Sequence, residues 1–456
     1  MTNGTHATPH ALIGYADKTV FVVGLGRSGM SAARALTAGG ADVLCWDDGD
    51  AARIRATDEG FKIENPVGSA RLSESDALVL APGIPLTHPT PHPAVMAAKD
   101  ADVPVIGDID LLFDAAPNAT FVGITGTNGK STTTALIGHV LRDVGLDVAV
   151  GGNLGTPALD LPEADIYVLE MSSYQLDLAR TTRFDISILL NITPDHLDRH
   201  GGMDGYVAAK KRILRPRDEN SLAIICTDQD ITADIANQAM VDGSNITRIS
   251  KDTDPTAQLI DREALPALIG DHGKQNAAAA FTVSNALGVD RDRAIAALET
   301  FPGLAHRQER IATLDGILFV NDSKATNPDS ATRALGAYRN SYWIAGGRAK
   351  DGGFGVLDDY LGRVRHAFLI GEATDALDGW IAGRVRVTRS GTMDRAVQDA
   401  FRMAVSDTDP GPVILSPACA SFDQYANFEK RGDAFREAVL SLPCGVRTVF
   451  TGQEAA

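Results

Sequence analysis

The stretch VGITGTNGKST (122–132) constrains this chain most. An apolar run over 120–123 predicts a buried strand, and a helical pattern follows over 130–144. Strand, glycine-rich turn and helix form a phosphate cradle: the turn aims backbone amides at an anion, and the helix N-terminus adds partial positive charge. In that frame Lys130 reaches the terminal phosphates and the Ser131 hydroxyl sits on Mg²⁺. The spacing departs from the full GxxxxGK[ST] pattern, because Ile124 stands where its first glycine falls; GxxGKS over 126–131 remains. The bland alternative, a helix start with a solvated Lys130, leaves GKS after a strand unexplained.

A second glycine pattern lies earlier. A strand over 19–23 runs into GLGRSG (24–29), a helix to about residue 38 and a strand over 41–46 that ends on Asp47 and Asp48. GxGxxG after a strand, with an acidic residue roughly 20 positions on, fits a nucleotide-type ligand. A merely tight strand–helix turn fits it too. LVLAPG (78–83) predicts another strand with its loop, and a strand near 103–105 closes this first segment.

In the segment carrying the cradle, a strand over 166–169 delivers Glu170, a position from which a carboxylate can hold Mg²⁺. A strand over 186–190 ends in NITPDHLD (191–198), where His196 is either structural or functional. Lys210 and Lys211, on a helix over 204–214, read by composition as solvated. The segment 217–262 reads as polar and irregular, with weak strands near 223–225 and 247–249. Helices over 274–287 and 290–300 stop at Phe301, Pro302 and Gly303. Beyond His306, strands near 316–320, 342–345, 367–370, 384–387 and 412–415 alternate with helices such as 393–405 and 427–440. Polar motifs recur at their ends, as in a substrate site.

At 456 residues the chain exceeds one core and predicts several domains. With 42 basic and 59 acidic residues its net charge is −17, which argues against a nucleic-acid or anionic-membrane partner. Cys45, Cys226, Cys419 and Cys444 lie far apart without a CxxC pair, so free thiols in a reducing compartment are expected. No run approaches the ~20 apolar residues of a membrane span. The expected location is cytoplasmic.

GTNGKST (126–132), GGNLG (151–155), LEMSSYQL (169–176), NITPDHLDRH (191–200), FPGLAHRQE (301–309), NDSKATNP (321–328) and SPACASFDQYANFEKRG (416–432) together resemble the Mur ligases. The resemblance spans about residues 20–450. NDSKATNP and SPACASFDQ are the parts most particular to the D-glutamate-adding branch.

The resemblance implies an α/β chain of three domains. An N-terminal Rossmann-like domain (1–107) would take a UDP-sugar, a central P-loop-type ATPase with a mainly parallel sheet (108–303) ATP, and a C-terminal Rossmann-like domain (304–456) the amino acid. It implies ATP-dependent addition of D-glutamate to UDP-N-acetylmuramoyl-L-alanine through an acyl phosphate. This would be a step of peptidoglycan precursor synthesis, hence of cell-wall biogenesis and division. Another Mur-type or folylpolyglutamate-type ligase is the alternative. A monomer is expected.

By the same resemblance, Gly126, Thr127, Asn128, Gly129, Lys130, Ser131 and Thr132, with Asn276, Arg307 and Asp322, bind ATP. Ser131, Glu170, His196 and a CO₂-derived carbamate on Lys210 hold two Mg²⁺ ions, and Lys324 neutralises the transferring phosphoryl group. Gly26, Arg27, Ser28, Asp47, Asp48 and Gly83 face the UDP end, and Asn153 and His196 the muramoyl-alanine. Thr326, Lys350, Ser421 and the Phe422 backbone face D-glutamate. At position 275 this chain carries Gln where the family often has His. An NAD(P)-dependent oxidoreductase built on 24–29 would leave Lys130, Glu170 and NDSK unexplained. A non-catalytic nucleotide-gated binding protein would need none of the catalytic candidates.

Overall fold

Parallel strands covered on both faces read as unbroken apolar runs, and this chain has them in three places. In the computed structural model, which describes residues 10–250, 265, 268, 271–350 and 352–450, these runs build three sheets. The first holds β1 (Thr19–Val23), β2 (Asp42–Trp46), β3 (Lys62–Ile63), β4 (Ala77–Leu80) and β5 (Val105–Ile106) in the order β3-β2-β1-β4-β5. All its pairings are parallel. The order reverses between β1 and β4, and the loops at their C-terminal ends flank the crevice where such sheets take ligands.

The second sheet holds β6 (Thr120–Thr125), β7 (Val148–Gly152), β8 (Ile166–Glu170), β9 (Ile186–Leu189), β10 (Leu222–Cys226) and β11 (Ile246–Ile249). Its order is β11-β10-β9-β6-β8-β7, parallel throughout. β6 therefore has β8 and β9 as neighbours, and the loops after all three meet at one end. Register places Ile124 beside Glu170, and Val122 beside both Val168 and Ile186.

These two sheets share a core. Val20, Val22 and Val43 of the first cluster with Phe121, Tyr167 and Leu169 of the second. Asp110, buried on the helix Asp108–Ala115, accepts from the amides and hydroxyls of Thr181 and Thr182. Among the described residues, 10–250, 265 and 271–301 accordingly form one compact unit, and 302–350 and 352–450 belong to the other.

The third sheet lies in the second unit. It holds β12 (Glu309–Leu314), β13 (Ile317–Asn321), β14 (Ser341–Gly346), β15 (Val364–Ile370), β16 (Arg386–Gly391), β17 (Val413–Leu415) and β18 (Arg447–Val449). Its order is β16-β15-β14-β17-β13-β12-β18. The run β16 to β13 is parallel, whereas β12 pairs antiparallel with β13 and β18. Alternate residues of β14 fill opposite faces: Tyr342 and Ile344 one, Trp343 and Ala345 the other.

Two expectations need correction. The described part of 217–262 is regular: β10 and β11 flank the helix Asp230–Val241. Ile231, Ile235 and Ala239 recur at helical spacing and pack on one cluster, but the Thr, Asp and Asn between them are poor helix formers and mask the period. Residues 251–262 lie outside the described residues, as do 1–9. The second correction concerns Lys210, which is buried rather than solvated, at 1% exposure. No helix among the described residues is long and apolar enough to cross a membrane, and all four cysteines are free.

Candidate active site

The turn after β6 departs from ordinary backbone at two glycines. Gly126 has φ 157° and Gly129 φ 86°, where an L side chain is strained. Neighbours close the space as well: a Cβ at Gly129 would lie 3.1 Å from Asn276 Oδ1 and 3.3 Å from Leu190 Cδ1. Asn276, on the helix Asp271–Ala286, thus stands against the turn. The helix Lys130–Asp143 begins at Gly129 with no side-chain cap, the form of an anion-binding helix start.

Two lysines converge on one oxygen. Lys130 Nζ donates to the carbonyls of Gly126 and Thr127, both at 2.9 Å. Lys210 Nζ, from the helix Met203–Lys211, donates to the same Gly126 carbonyl at 2.8 Å and lies 3.4 Å from Thr125 Oγ1. Burial, and then the neighbouring Lys130, holds the Lys210 amine well below the ordinary lysine value, against the opposite pull of Asp195 and Glu170. The Tyr206 ring lies 4.9 Å from Lys210 Nζ.

Glu170 ends β8 and is buried. Its Oε1 accepts from Asn153 Nδ2 at 2.7 Å, while Oε2 has no hydrogen-bond partner among the described residues. A buried carboxylate oxygen left open within electrostatic reach of Lys210 is a donor suited to a hard cation. His196 has φ 51° and a half-exposed side chain 3.4 Å from Asp195 Oδ2, with its ring 5.0 Å from that of Tyr174. Among the described residues no three His, Cys, Asp or Glu side chains gather as a ready metal cluster.

The loop after β9 pins the turn. Asn191 accepts from the Asn128 amide (2.8 Å) and donates to the Asn128 carbonyl (3.0 Å). Thr127 Oγ1 donates to the Thr193 carbonyl, accepts from the Thr193 amide, and stands 3.0 Å from Tyr206 Oη. Asn191 and Tyr206 carried no expected role, although the position of Asn191 at a strand's C-terminal end was a signal for one. Gln275, in the place often held by His, is buried and donates to Asp228 at 2.6 Å.

At the first glycine turn the side chains turn towards the protein. Asp47 accepts from the amides of Leu25 (2.7 Å) and Gly49 (2.8 Å), and Arg27 donates to the Gly155 carbonyl. Asp48 lies 3.0 Å from His92 Nε2, which holds its carboxyl below the usual range. Gly26 and Gly83 are exposed, and Ser28 is half-buried beside Asp108.

The second unit gathers its candidates at the strand ends after β13, β14 and β17. Asp322 accepts from Ser416 Oγ (2.8 Å) and the Gln308 amide (3.2 Å), and burial pushes its carboxyl up to about 7. Lys324 Nζ lies 3.8 Å from the ring centre of Phe428. Ser421 is buried, Thr326 half-buried and Lys350 exposed. The Phe422 side chain is 64% exposed, so Phe428 is the aromatic that meets Lys324. Arg307 is half-buried and bonds back through its amide to the Leu304 carbonyl. Arg431, fully buried, donates to Ser323 Oγ and to the carbonyls of Ser323 and Cys419, tying two of these loops together.

Fold and site define a class: α/β proteins whose phosphate-type turn carries paired lysines and a buried acid. Residues 18–107 match the MurD-like N-terminal domain of Mur ligases, and 124–284 match the Mur ligase middle domain. A UDP-N-acetylmuramoylalanine–D-glutamate ligase of Paramagnetospirillum magneticum is 47% identical over 446 residues, which are 94% of this chain and 97% of the relative. One from Caulobacter vibrioides is 46% identical over 463 residues, 95% of this chain and 98% of its own. Among solved structures, the UDP-N-acetylmuramate-alanine ligase MurC of Thermotoga maritima superposes with TM-score 0.54 at 17% identity, covering 93% of this chain and 99% of its own. MurF of Acinetobacter baumannii gives 0.55 at 20% identity over 80% and 92%. The chain belongs to the Mur ligase family, within its UDP-N-acetylmuramoylalanine–D-glutamate ligases.

Proposed function

We propose that this chain joins D-glutamate to UDP-N-acetylmuramoyl-L-alanine at the expense of ATP, releasing ADP and phosphate, as a cytoplasmic monomer in peptidoglycan precursor synthesis. The observation that carries the chemistry is the convergence of Lys130 and Lys210 on the Gly126 carbonyl, near a buried glutamate with an open oxygen. The relatives' shared name supports the substrates. Three domains divide the work: 1–107 for the UDP-sugar, 108–303 for ATP and 304–456 for the amino acid.

Joining a carboxylate to an amine in water is uphill, so the carboxylate must first be activated. The L-alanyl carboxylate oxygen attacks the γ-phosphorus of ATP. An O–P bond forms, the bond to the β–γ bridging oxygen breaks, and ADP leaves. Two anions meet in this step, so positive charge and positioning dominate its barrier. Lys130, the uncapped amides of the first turn and Ser131 take the β- and γ-phosphates, with Gly126, Thr127, Asn128, Gly129 and Thr132 shaping the turn. Asn276 serves ATP from beside Gly129, and Arg307 and Asp322 are assigned to ATP as well.

The open Glu170 oxygen, the Ser131 hydroxyl and the His196 imidazole would hold Mg²⁺, hard-cation donors by their chemistry. Bound there, Mg²⁺ neutralises phosphate charge and orients the acceptor carboxylate. A second ion calls for another anion. The depressed Lys210 amine supplies one by adding CO₂: its N–C bond forms, a proton leaves, and the product is a carbamate. In the second step the D-glutamate amine attacks the acyl carbon, loses a proton and expels phosphate, with Lys324 balancing the charge. Thr326, Lys350, Ser421 and the backbone at Phe422 receive the two D-glutamate carboxylates. Asn153 and His196 face the muramoyl-alanine, and Gly26, Arg27, Ser28, Asp47, Asp48 and Gly83 line the UDP end.

Trapping tests the activated intermediate. With ATP and UDP-N-acetylmuramoyl-L-alanine but no D-glutamate, hydroxylamine should give the corresponding hydroxamate and free phosphate. Phosphate-coupled turnover without any hydroxamate would contradict the acyl phosphate.

A further inference from the structure

On the reading above, the first unit binds two ligands: a UDP-sugar at the loops after β1 and β4, and ATP at the turn after β6. Arg199, with no role so far, stands between them. It belongs to the one-turn helix Leu197–His200, three residues beyond His196. Its guanidinium donates to three consecutive carbonyls of the loop after β4: Pro82 (3.4 Å), Gly83 (2.8 Å) and Ile84 (3.2 Å). It also lies over the Tyr174 ring, 4.5 Å from its centre. That ring in turn faces His196 at 5.0 Å and His200 at 5.7 Å.

The loop gripped by Arg199 presses on the first glycine turn. A Cβ at Gly24 would fall 2.7 Å from Ala81 Cβ and 2.8 Å from Ile84 Cγ1. The segment after the short helix is equally close to that loop, since a Cβ at Gly201 would lie 2.6 Å from His88 Nε2. An unbroken run of contacts therefore leads from the Gly24 turn through 81–84, Arg199 and Tyr174 to His196.

We infer that Arg199 is a positioning residue coupling the two ligand sites. A UDP-sugar that orders the 81–84 loop fixes the three carbonyls, these fix the guanidinium, and the guanidinium with Tyr174 fixes the segment that carries His196. A planar fork of five donors holds three neighbouring carbonyls in a fixed geometry, which an ammonium with three rotatable donors on a flexible stem does not impose. Arg199 Nε is buried without a partner among the described residues, so the fork retains one donor for a further acceptor when the site fills. A purely structural clip would stabilise the fold and leave the two ligands independent.

The proposal rests on the functional reading above, and calorimetry separates the two. A non-hydrolysable ATP analogue with Mg²⁺ is titrated with and without UDP-N-acetylmuramoyl-L-alanine into wild type, Arg199→Ala and Arg199→Lys. In the wild type the UDP-sugar should tighten analogue binding at least about fivefold, the lower end of ordinary site-to-site coupling. In Arg199→Ala the coupling should fall below about twofold, while each ligand alone binds within about threefold of wild type. Arg199→Lys keeps stem and charge but not the fork and should lose most of the coupling too; it carries the comparison if the alanine variant does not fold. Coupling that persists in the variants, or is absent from the wild type, overturns the inference. A wild type that binds neither ligand overturns the functional reading itself.

Discussion

Two glycine-rich turns, each between a parallel strand and a helix, stand in one compact unit, and they are finished in opposite ways. The turn after β1 is closed by protein: Asp47 takes the Leu25 amide, Arg27 reaches Gly155, and a Cβ at Gly29 would fall 1.8 Å from the Gly24 carbonyl oxygen. The turn after β6 leaves its helix uncapped and gathers two lysines on Gly126. Glycine spacing reports the path of the backbone. The charge placed in the turn decides what it can hold: a carboxylate spends an amide that a phosphate would need, while paired cations invite one. In a chain of net charge −17, such a local reversal is informative.

The largest expected effect tests that contrast directly. Lys130→Ala should cut phosphate release roughly 10²–10³-fold, as losing one preorganised electrostatic donor does, with an unchanged circular dichroism spectrum. Arg27→Ala should cost less than about tenfold, mainly in KM for the UDP-sugar. Equal losses at the two turns would break the comparison. Next comes Lys210→Ala, which should lose most activity and recover part of it with added acetate or bicarbonate. Wild-type activity in that variant would remove the carbamate from the account.

The remaining predictions concern the closed turn. Asp47→Ala strands the amides of Leu25 and Gly49 and should cost about 1–3 kcal/mol in urea unfolding. A change within the roughly 0.5 kcal/mol of an ordinary surface substitution would show that the turn does not need its acid. Asp108, whose Oδ1 has no hydrogen-bond partner among the described residues, stands beside Ser28, and burial pushes its carboxyl up to about 6. Between pH about 4 and about 6 the folded chain keeps that proton while the unfolded chain has lost it, so stability should decline as pH rises across this window. Melting curves of Asp108→Asn should decline less than those of wild type across the window, by on the order of 3 kcal/mol. A stability difference between wild type and Asp108→Asn that does not change with pH across the window would contradict the assignment.

Much of this was legible in the sequence, for local reasons. The helix 393–405 and the strand, turn and helix around Lys130 follow from apolar period and punctuation, and the helix stop at Phe301 coincides with the division between the two units. The burial of Lys210 was not legible, because AAKK on a helix looks the same whether its face meets water or the turn after β6. The shared core of the first two sheets escaped too, since which apolar faces meet is a property of tertiary packing. β12 and β18 pair across more than a hundred residues, with no local signal for the partner. Phe428 sat inside a quoted motif, yet only the fold sets its ring, rather than that of Phe422, against Lys324.

The most direct measurement is phosphate release from ATP in the presence of UDP-N-acetylmuramoyl-L-alanine, with D-glutamate compared against L-glutamate, meso-diaminopimelate and lysine. The account predicts release with D-glutamate alone, accompanied by a UDP-linked dipeptide. Release driven by another of these amino acids, or by none, would contradict it.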